Sequence, residues 1–95
     1  MLNTFPLLLL TAAAAIEGPG ASYQSDKTIR ELQNCLTEKL ARIGDVTDVT
    51  VDGVTTLMLR ETPADEAMVI DLDPPSVKVT TNFLYGTRKM VESCL

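Results

Sequence analysis

The chain has 95 residues, a formal net charge of −5 and a sequence pI of about 4.5, and it contains no histidine and no tryptophan. A chain of this length forms one domain, and its acidity disfavours binding to nucleic acid or to anionic membrane surfaces. Without histidine, the commonest general base and the usual serine triad are missing. The sequence also shows no motif for a cofactor or a metal, so we expect a non-enzymatic protein.

An apolar segment at residues 7–16 predicts a secretory signal peptide. The segment is too short to span a bilayer, which takes roughly 20 residues, but it matches the apolar region of a signal peptide. Small residues permit cleavage after Ala15 or after Ser22, and we favour Ser22 because helix-breaking residues precede it. The alternative is a buried N-terminal helix of a cytosolic protein, because residues 1–6 contain no lysine or arginine.

With cleavage after Ser22, residues 1–22 form the signal peptide and residues 23–95 form a single mature domain. Both cysteines, Cys35 and Cys94, lie in that domain. An even pair of cysteines in an exported protein predicts a disulfide bond. We therefore expect a periplasmic or secreted protein, with no membrane-spanning segment after the signal peptide is removed.

The first predicted element of the domain is a helix over residues 26–43, which follows a flexible lead at residues 18–25 that includes Tyr23. Ser25 is a suitable N-cap, and Gly44 stands where a helix commonly ends. Apolar residues recur at spacings of three and four, which places them on one helix face. They are Ile29, Leu32, Leu36, Leu40 and Ile43.

Four runs rich in β-branched residues follow, with turn residues between them. The runs occupy residues 46–51, 54–60, 67–72 and 76–80, and the turns are Asp52-Gly53, 62–65 and 73–75. Strands joined by short turns are antiparallel neighbours. The runs therefore predict a four-stranded antiparallel meander.

The register of the last three strands follows from folding each strand onto the next about its turn. The predicted apolar pairs are Leu57–Ile70, Leu59–Met68, Ile70–Val79 and Leu72–Val77. The same register sets Asp71 against Lys78 on the opposite face, as a cross-strand pair of opposite charge. One continuous apolar face results, and we expect the helices to cover it. It consists of Leu57, Leu59, Met68, Ile70, Leu72, Val77 and Val79.

The first hairpin leaves two alternatives for Val49. A two-residue Asp52-Gly53 loop places Val49 on the outer face of the sheet and sets Asp48 against Leu57. A one-residue bulge at Gly53 returns Val49 to the helix-covered face, and we favour the bulge. Without the bulge, an outer stripe of apolar residues forms, consisting of Val49, Val51, Val54, Met58 and Val69.

Helical periodicity returns after residue 80, where Thr81 or Asn82 is a suitable cap. One side of this last helix is predicted to contain Phe83, Thr87, Met90, Val91 and Cys94. The predicted order is α-β-β-β-β-α, an α+β fold. Both helices lie on one face of the sheet, and a Cys35–Cys94 disulfide joins them.

The charged residues are interpreted as structural. Asp45, Asp48 and Asp52 lack the alternate-position spacing and the closing glutamate of a calcium loop. Arg88 and Lys89 are interpreted as solvated charges on the outer side of the last helix.

The sequence favours a small exported interaction protein, such as an inhibitor, an immunity-type factor or an accessory subunit, whose partner is another protein. An exposed apolar patch on a small domain typically marks a contact surface, and the outer stripe is the candidate. The alternative function is a carrier of a small apolar ligand between the sheet and the helices. That ligand would lie beside Leu57, Met68, Phe83 and Met90.

Overall fold

A five-stranded antiparallel sheet carries two helices on one of its faces. The structure is a computed structural model that describes residues 16–61 and 66–95. The elements are β1 (Ile16–Gly18), β2 (Ser22–Gln24), α1 (Ile29–Leu40), β3 (Asp45–Val51), β4 (Val54–Glu61), β5 (Glu66–Asp73), β6 (Ser76–Val79), β7 (Phe83–Leu84) and α2 (Thr87–Cys94). Residues 1–15 of the predicted signal peptide and the predicted turn 62–65 lie outside the described residues. No helix in the described ranges is long and apolar enough to cross a membrane.

The central strands pair as the alternating apolar residues predict. The strand order is β2-β6-β5-β4-β3, and every neighbouring pair is antiparallel. All four predicted apolar pairs are confirmed, and Asp71 lies opposite Lys78. The predicted sheet face is buried together with one side of each helix. The buried apolar residues are Leu32, Leu36, Leu40, Leu57, Leu59, Met68, Ile70, Leu72, Val77, Val79, Phe83, Leu84, Val91 and Cys94.

The prediction of a four-stranded meander is wrong in its strand number, because the segment before α1 is a strand rather than a flexible lead. β2 pairs with β6, with Tyr23 opposite Val77. Backbone hydrogen bonds of 2.9 Å from Ser25 N to Pro75 O and of 2.8 Å from Val79 N to Ala21 O extend this pairing. In addition, β1 pairs with β7 as a separate two-stranded sheet. β2 therefore occupies the edge of the main sheet beside β6.

The first helix is shorter than predicted at both ends, because Thr28 rather than Ser25 is its N-cap and Ala41, not Gly44, is its C-cap. The Glu31 N–H donates to Thr28 Oγ1 at 3.1 Å, and the Thr28 N–H donates to Glu31 Oε1 at 3.0 Å. This capping box satisfies two backbone donors at once, and it holds the pKa of Glu31 below its ordinary value. The Ser25 hydroxyl instead donates to Leu95 O at 3.0 Å, which ties the start of the domain to its last residue.

The last helix also begins later than predicted. Gly86 has a φ of 83° and is the N-cap of α2, so the helical conformation begins at Thr87. This left-handed backbone conformation suits glycine, which has no Cβ, and it separates α2 from the β7 strand at Phe83–Leu84. The buried Thr87 hydroxyl donates to Leu84 O at 2.6 Å and so fixes the turn between them.

A disulfide joins α1 to α2, as predicted. Cys35 and Cys94 have Cα atoms 5.8 Å apart and are separated by 59 positions in the sequence. Cys94 is fully buried in the core, and Cys35 packs against the edge of the core. The bond therefore ties the final helix to the first one and closes the loop that contains β3 to β7.

We expect the double variant Cys35→Ala, Cys94→Ala to lose about 4 kcal/mol of unfolding free energy, since the bond closes a long loop. A core of this size supplies only about 3–5 kcal/mol, so the variant should be close to unfolding at 25 °C. Urea denaturation followed by circular dichroism measures the change. Ser93→Ala, at a neighbouring exposed position of α2, is the matched control. Equal midpoints for the double variant and the oxidised protein would contradict this role of the bond.

Candidate functional site

The turn between β3 and β4 is a tight two-residue loop. Asp52 has a φ of 53° and Gly53 a φ of 81°. Two consecutive positive φ angles are characteristic of a type I′ turn, whose twist matches that of antiparallel strands. Val51 accordingly pairs directly with Val54, and all seven β3 residues pair with β4 in regular register. The bulge that we favoured from the sequence is therefore wrong, since the turn closes the hairpin without an extra residue.

This register determines which side of the sheet each β3 residue occupies. Val49 pairs with Thr56 on the face that α1 and α2 leave uncovered, whereas Asp48 pairs with the core residue Leu57. Val49 is 61% exposed and Val51 is 60% exposed. Two large apolar side chains on one strand are therefore in contact with solvent.

The structure brings the five residues of the outer stripe onto one face. Val51 lies opposite Val54, and Met58 lies opposite Val69. Val54, Met58 and Val69 are half-buried, so exposure is greatest at the β3 end of the stripe. Apolar area on the uncovered face is therefore concentrated near the edge of the sheet.

Polar residues interrupt the outer stripe at Thr56, between Val54 and Met58, and border it on β5, β6 and β2. The Thr56 hydroxyl donates to Asp71 Oδ1 at 2.8 Å, and Lys78 is the cross-strand neighbour of Asp71. Ser22 and Gln24 continue the same face on β2. An apolar patch with a polar border is typical of a protein contact surface.

β3 is also an edge strand, and in the described part of the chain no strand pairs with its outer side. In a hairpin with a two-residue loop, the residues that flank the loop exchange hydrogen bonds with each other. Val51, Val49 and Thr47 therefore bond inward to β4. The backbone N–H and C=O groups of the alternate residues, Val46, Asp48 and Thr50, point away from the sheet.

A groove of about 560 Å³ lies between this edge and α1. Gln33 Nε2 donates a hydrogen bond to Asp48 Oδ2 across the groove, which joins the helix to the strand. The lining includes two carboxylates and no basic residue among the described side chains. It consists of Gln33, Asn34, Thr37, Glu38, Val46 and Asp48.

A polar cluster of Tyr23, Arg88 and Glu92 lies away from the groove. The Tyr23 hydroxyl donates to Glu92 Oε2 at 2.9 Å, and Arg88 Nε contacts the same oxygen at 3.3 Å. The hydrogen bond from Tyr23, followed by that from Arg88, lowers the pKa of Glu92. Burial and the Glu92 contact raise the pKa of Tyr23.

This cluster connects the N-terminal segment to α2. The Arg88 N–H donates to Glu17 Oε1 at 3.0 Å, and the Arg88 guanidinium lies 5.4 Å from the centre of the Phe83 ring. The interpretation of Arg88 as a solvated charge and of Tyr23 as a lead residue missed these contacts. The spacing of four between Arg88 and Glu92 indicates their contact in the sequence, since residues four apart lie on one helix face.

The residues of the carrier hypothesis are part of the packed core. Leu57, Met68 and Phe83 are fully buried, and Met90 packs partly buried beside them. Thr87 Oγ1 contacts Met68 Sδ at 3.3 Å. The groove lies elsewhere, between α1 and the edge strand β3, and its lining is mostly polar.

In the described ranges, no group of three or more histidine, cysteine, aspartate or glutamate side chains is placed to hold a metal ion. No protein-family model matches the chain, and searches of curated proteins and of solved structures found no match to it.

We expect Tyr23→Phe to raise the pKa of Glu92 toward its ordinary value of 4.5, because the larger of its two stabilising hydrogen bonds is lost. The pKa should stay below 4.5 because Arg88 remains. A lowered carboxyl pKa adds stability that is lost as the pH falls through the folded pKa, so the variant should be less sensitive to acid below about pH 4.5. NMR titration of the Glu92 carboxyl carbon measures the shift. Tyr85→Phe, at an exposed tyrosine, is the control, and an unchanged Glu92 pKa in Tyr23→Phe would contradict the assignment.

Proposed function

We propose that this chain is a small exported domain that binds another protein through the β3 end of the outer stripe. The observation that carries the proposal is the exposure of Val49 and Val51 on an edge strand. Burying a valine side chain contributes roughly 1.5–3 kcal/mol. Covering both valines with a partner would therefore supply a substantial part of the free energy of a complex.

The surroundings of the two valines also support a contact surface. Lys78, Asp71 and Gln24 supply polar groups on the same face. Apolar exposure on this face is therefore greatest at its β3 end. The role that we propose is non-enzymatic, such as that of an inhibitor, an immunity-type factor or an accessory subunit.

The proposed location is the periplasm or the extracellular space. The buried Cys35–Cys94 bond is consistent with an oxidising, exported location, since disulfides persist mainly in such compartments. The proposed signal peptide supplies the export route. Within this proposal, the pairing of β1 with β7 favours cleavage after Ala15, because cleavage after Ser22 would remove β1 and its Glu17 contact to Arg88.

We expect the exported protein to begin at Ile16. Intact-mass measurement and N-terminal sequencing of protein recovered from the exported fraction test this expectation. Ala15→Leu, which places a large residue at the cleavage position, should slow processing, whereas Ser22→Leu should not. A mature chain that begins at Tyr23 would contradict this expectation, because it would show that β1 is removed with the signal peptide.

We expect a photoreactive amino acid at position 49 to form one defined covalent adduct with a partner protein in the native cells. The same residue at position 89, an exposed site on α2, is the matched control and should form no such adduct. Mass spectrometry of the adduct should map the cross-link to position 49. A second change, Val51→Lys, should reduce the adduct severalfold, because it places a charge in the apolar contact.

Thermal unfolding of each labelled protein tests whether position 49 tolerates the photoreactive residue. Because Val49 is exposed, its replacement should leave the melting temperature nearly unchanged. Equal labelling from positions 49 and 89, or no adduct from either, would refute the proposed surface.

A further inference from the structure

We infer that the partner presents an extended segment with alternating basic and apolar side chains, which adds to the sheet as a strand beside β3. The inference rests on the proposed function, since it specifies the chemistry of the partner at the same strand. It combines three features of this edge: outward backbone groups, an acidic groove on one side and exposed valines on the other.

The backbone of β3 can accept a further strand. Val46, Asp48 and Thr50 direct their N–H and C=O groups away from β4, as the two-residue turn requires. Edge strands of natural proteins are usually protected by proline, lysine, a bulge or an inward-pointing charged residue. β3 contains neither proline nor lysine, and its register is regular, so its protection consists of the inward-pointing charge of Asp48, which a basic partner strand would neutralise. Strand addition uses main-chain hydrogen bonds for affinity and side-chain positions for specificity.

The helix side of the added strand would face carboxylates. Asp48 lies on this side of β3, and Glu38 lines the same groove on α1. A residue directly opposite Asp48 in the added strand would be within reach of its carboxylate, and pairs of opposite charge stabilise such positions. The net charge of −5 would also accelerate the approach of a basic segment. Lysine or arginine is therefore favoured on this side.

The other side of the added strand would face apolar surface. Val49 and Val51 project there, with Thr47 beside them. Because successive side chains of a strand alternate between faces, a strand that places basic residues toward the groove places its other residues next to these valines. Apolar residues at those positions would cover the valines, so the favoured segment alternates basic and apolar residues.

A second copy of this chain fits the edge less well. Its own β3 has the sequence DVTDVTV, which brings one further carboxylate, that of Asp48, and no cation to the groove side. Self-pairing centred on Asp48 would set the two Asp48 residues directly against each other, and like charges at such positions are destabilising. A partner of opposite charge is therefore preferred over self-association.

The test uses the oxidised protein and a capped, fluorescently labelled peptide of alternating lysine and valine, Lys-Val-Lys-Val-Lys-Val-Lys. The control peptide has the same composition in two blocks, Lys-Lys-Lys-Lys-Val-Val-Val. Fluorescence anisotropy measures affinity, and NMR shifts of backbone amides locate the site. We expect binding of the alternating peptide only, with the largest amide shifts at Val46, Asp48 and Thr50.

Variants of β3 separate the backbone contribution from the charge contribution. Thr50→Pro removes an outward N–H, which proline tolerates at a sheet edge, and it should weaken binding about tenfold. Its matched control, Thr50→Ala, keeps the N–H while removing the 2.8 Å hydroxyl contact with Thr55, and it should bind normally. Asp48→Asn should weaken binding about threefold through loss of the cross-strand charge pair. Thermal unfolding shows whether each variant is folded.

Each of the following outcomes would overturn strand addition or the basic character of the partner. Equal binding of the block peptide, or unchanged binding by Thr50→Pro, would overturn strand addition in favour of nonspecific charge attraction. Failure of the alternating peptide to bind, while position 49 still forms its adduct, would overturn strand addition and leave the proposed function standing. A dimer in sedimentation experiments that Thr50→Pro dissociates would overturn the basic partner in favour of a second copy.

Discussion

Two consecutive positive φ angles, at Asp52 and Gly53, determine which side of the sheet every residue of β3 faces. Side chains alternate along a strand, so one inserted residue would exchange the two sides of the whole strand. Insertion would bury Val49 under the helices, a gain of roughly 1.5–3 kcal/mol. The type I′ turn instead keeps a regular seven-residue ladder with Asp48 beside the groove and Val49 in solvent. The turn geometry thus determines the exposure of Val49 and Val51, and the fold forgoes the free energy that burying Val49 would contribute.

The remaining architecture explains how a small domain can leave one sheet face uncovered. One helix of 12 residues and one of 8 residues cover the opposite face, and together with that face they form the core. The Cys35–Cys94 bond holds the short second helix against the first. The Tyr23–Glu92 and Ser25–Leu95 hydrogen bonds attach β2 and the residue that follows it to α2 and to Leu95. Covalent and polar links therefore supplement a core that has only two layers.

The sequence alone was sufficient for features that depend on periodic apolar residues. Pairs such as Leu72–Val77 followed from alternation and turn position, and the disulfide followed from an even cysteine count in a domain predicted to be exported. The three-residue strand at Ser22–Gln24 could not be predicted, because its polar sequence has no pattern and it forms only where β6 leaves an edge free. The Thr28-x-x-Glu31 spacing is that of a capping box, which the sequence shows directly, whereas Ser25, also a suitable cap residue, donates its hydroxyl to Leu95 O. The expected bulge at Gly53 is absent because Asp52 and Gly53 form the tight two-residue turn that an Asp-Gly pair prefers.

The groove between α1 and β3 is the part of the candidate site that the sequence did not predict. It explains the position of Asp48. In the sequence, pairing Asp48 with Leu57 conflicts with the apolar pattern, because it places a carboxylate on the predicted core face. The structure places that carboxylate at the groove, where Gln33 donates a hydrogen bond to it. An acidic residue on the inward side of an edge strand discourages pairing with apolar or acidic strands, which would desolvate or repel it. The same charge favours a strand that brings a cation to that position. Asp48 would therefore contribute to selectivity in two ways. It disfavours pairing of the open β3 edge with apolar or acidic strands, and it favours pairing with a strand that carries a cation.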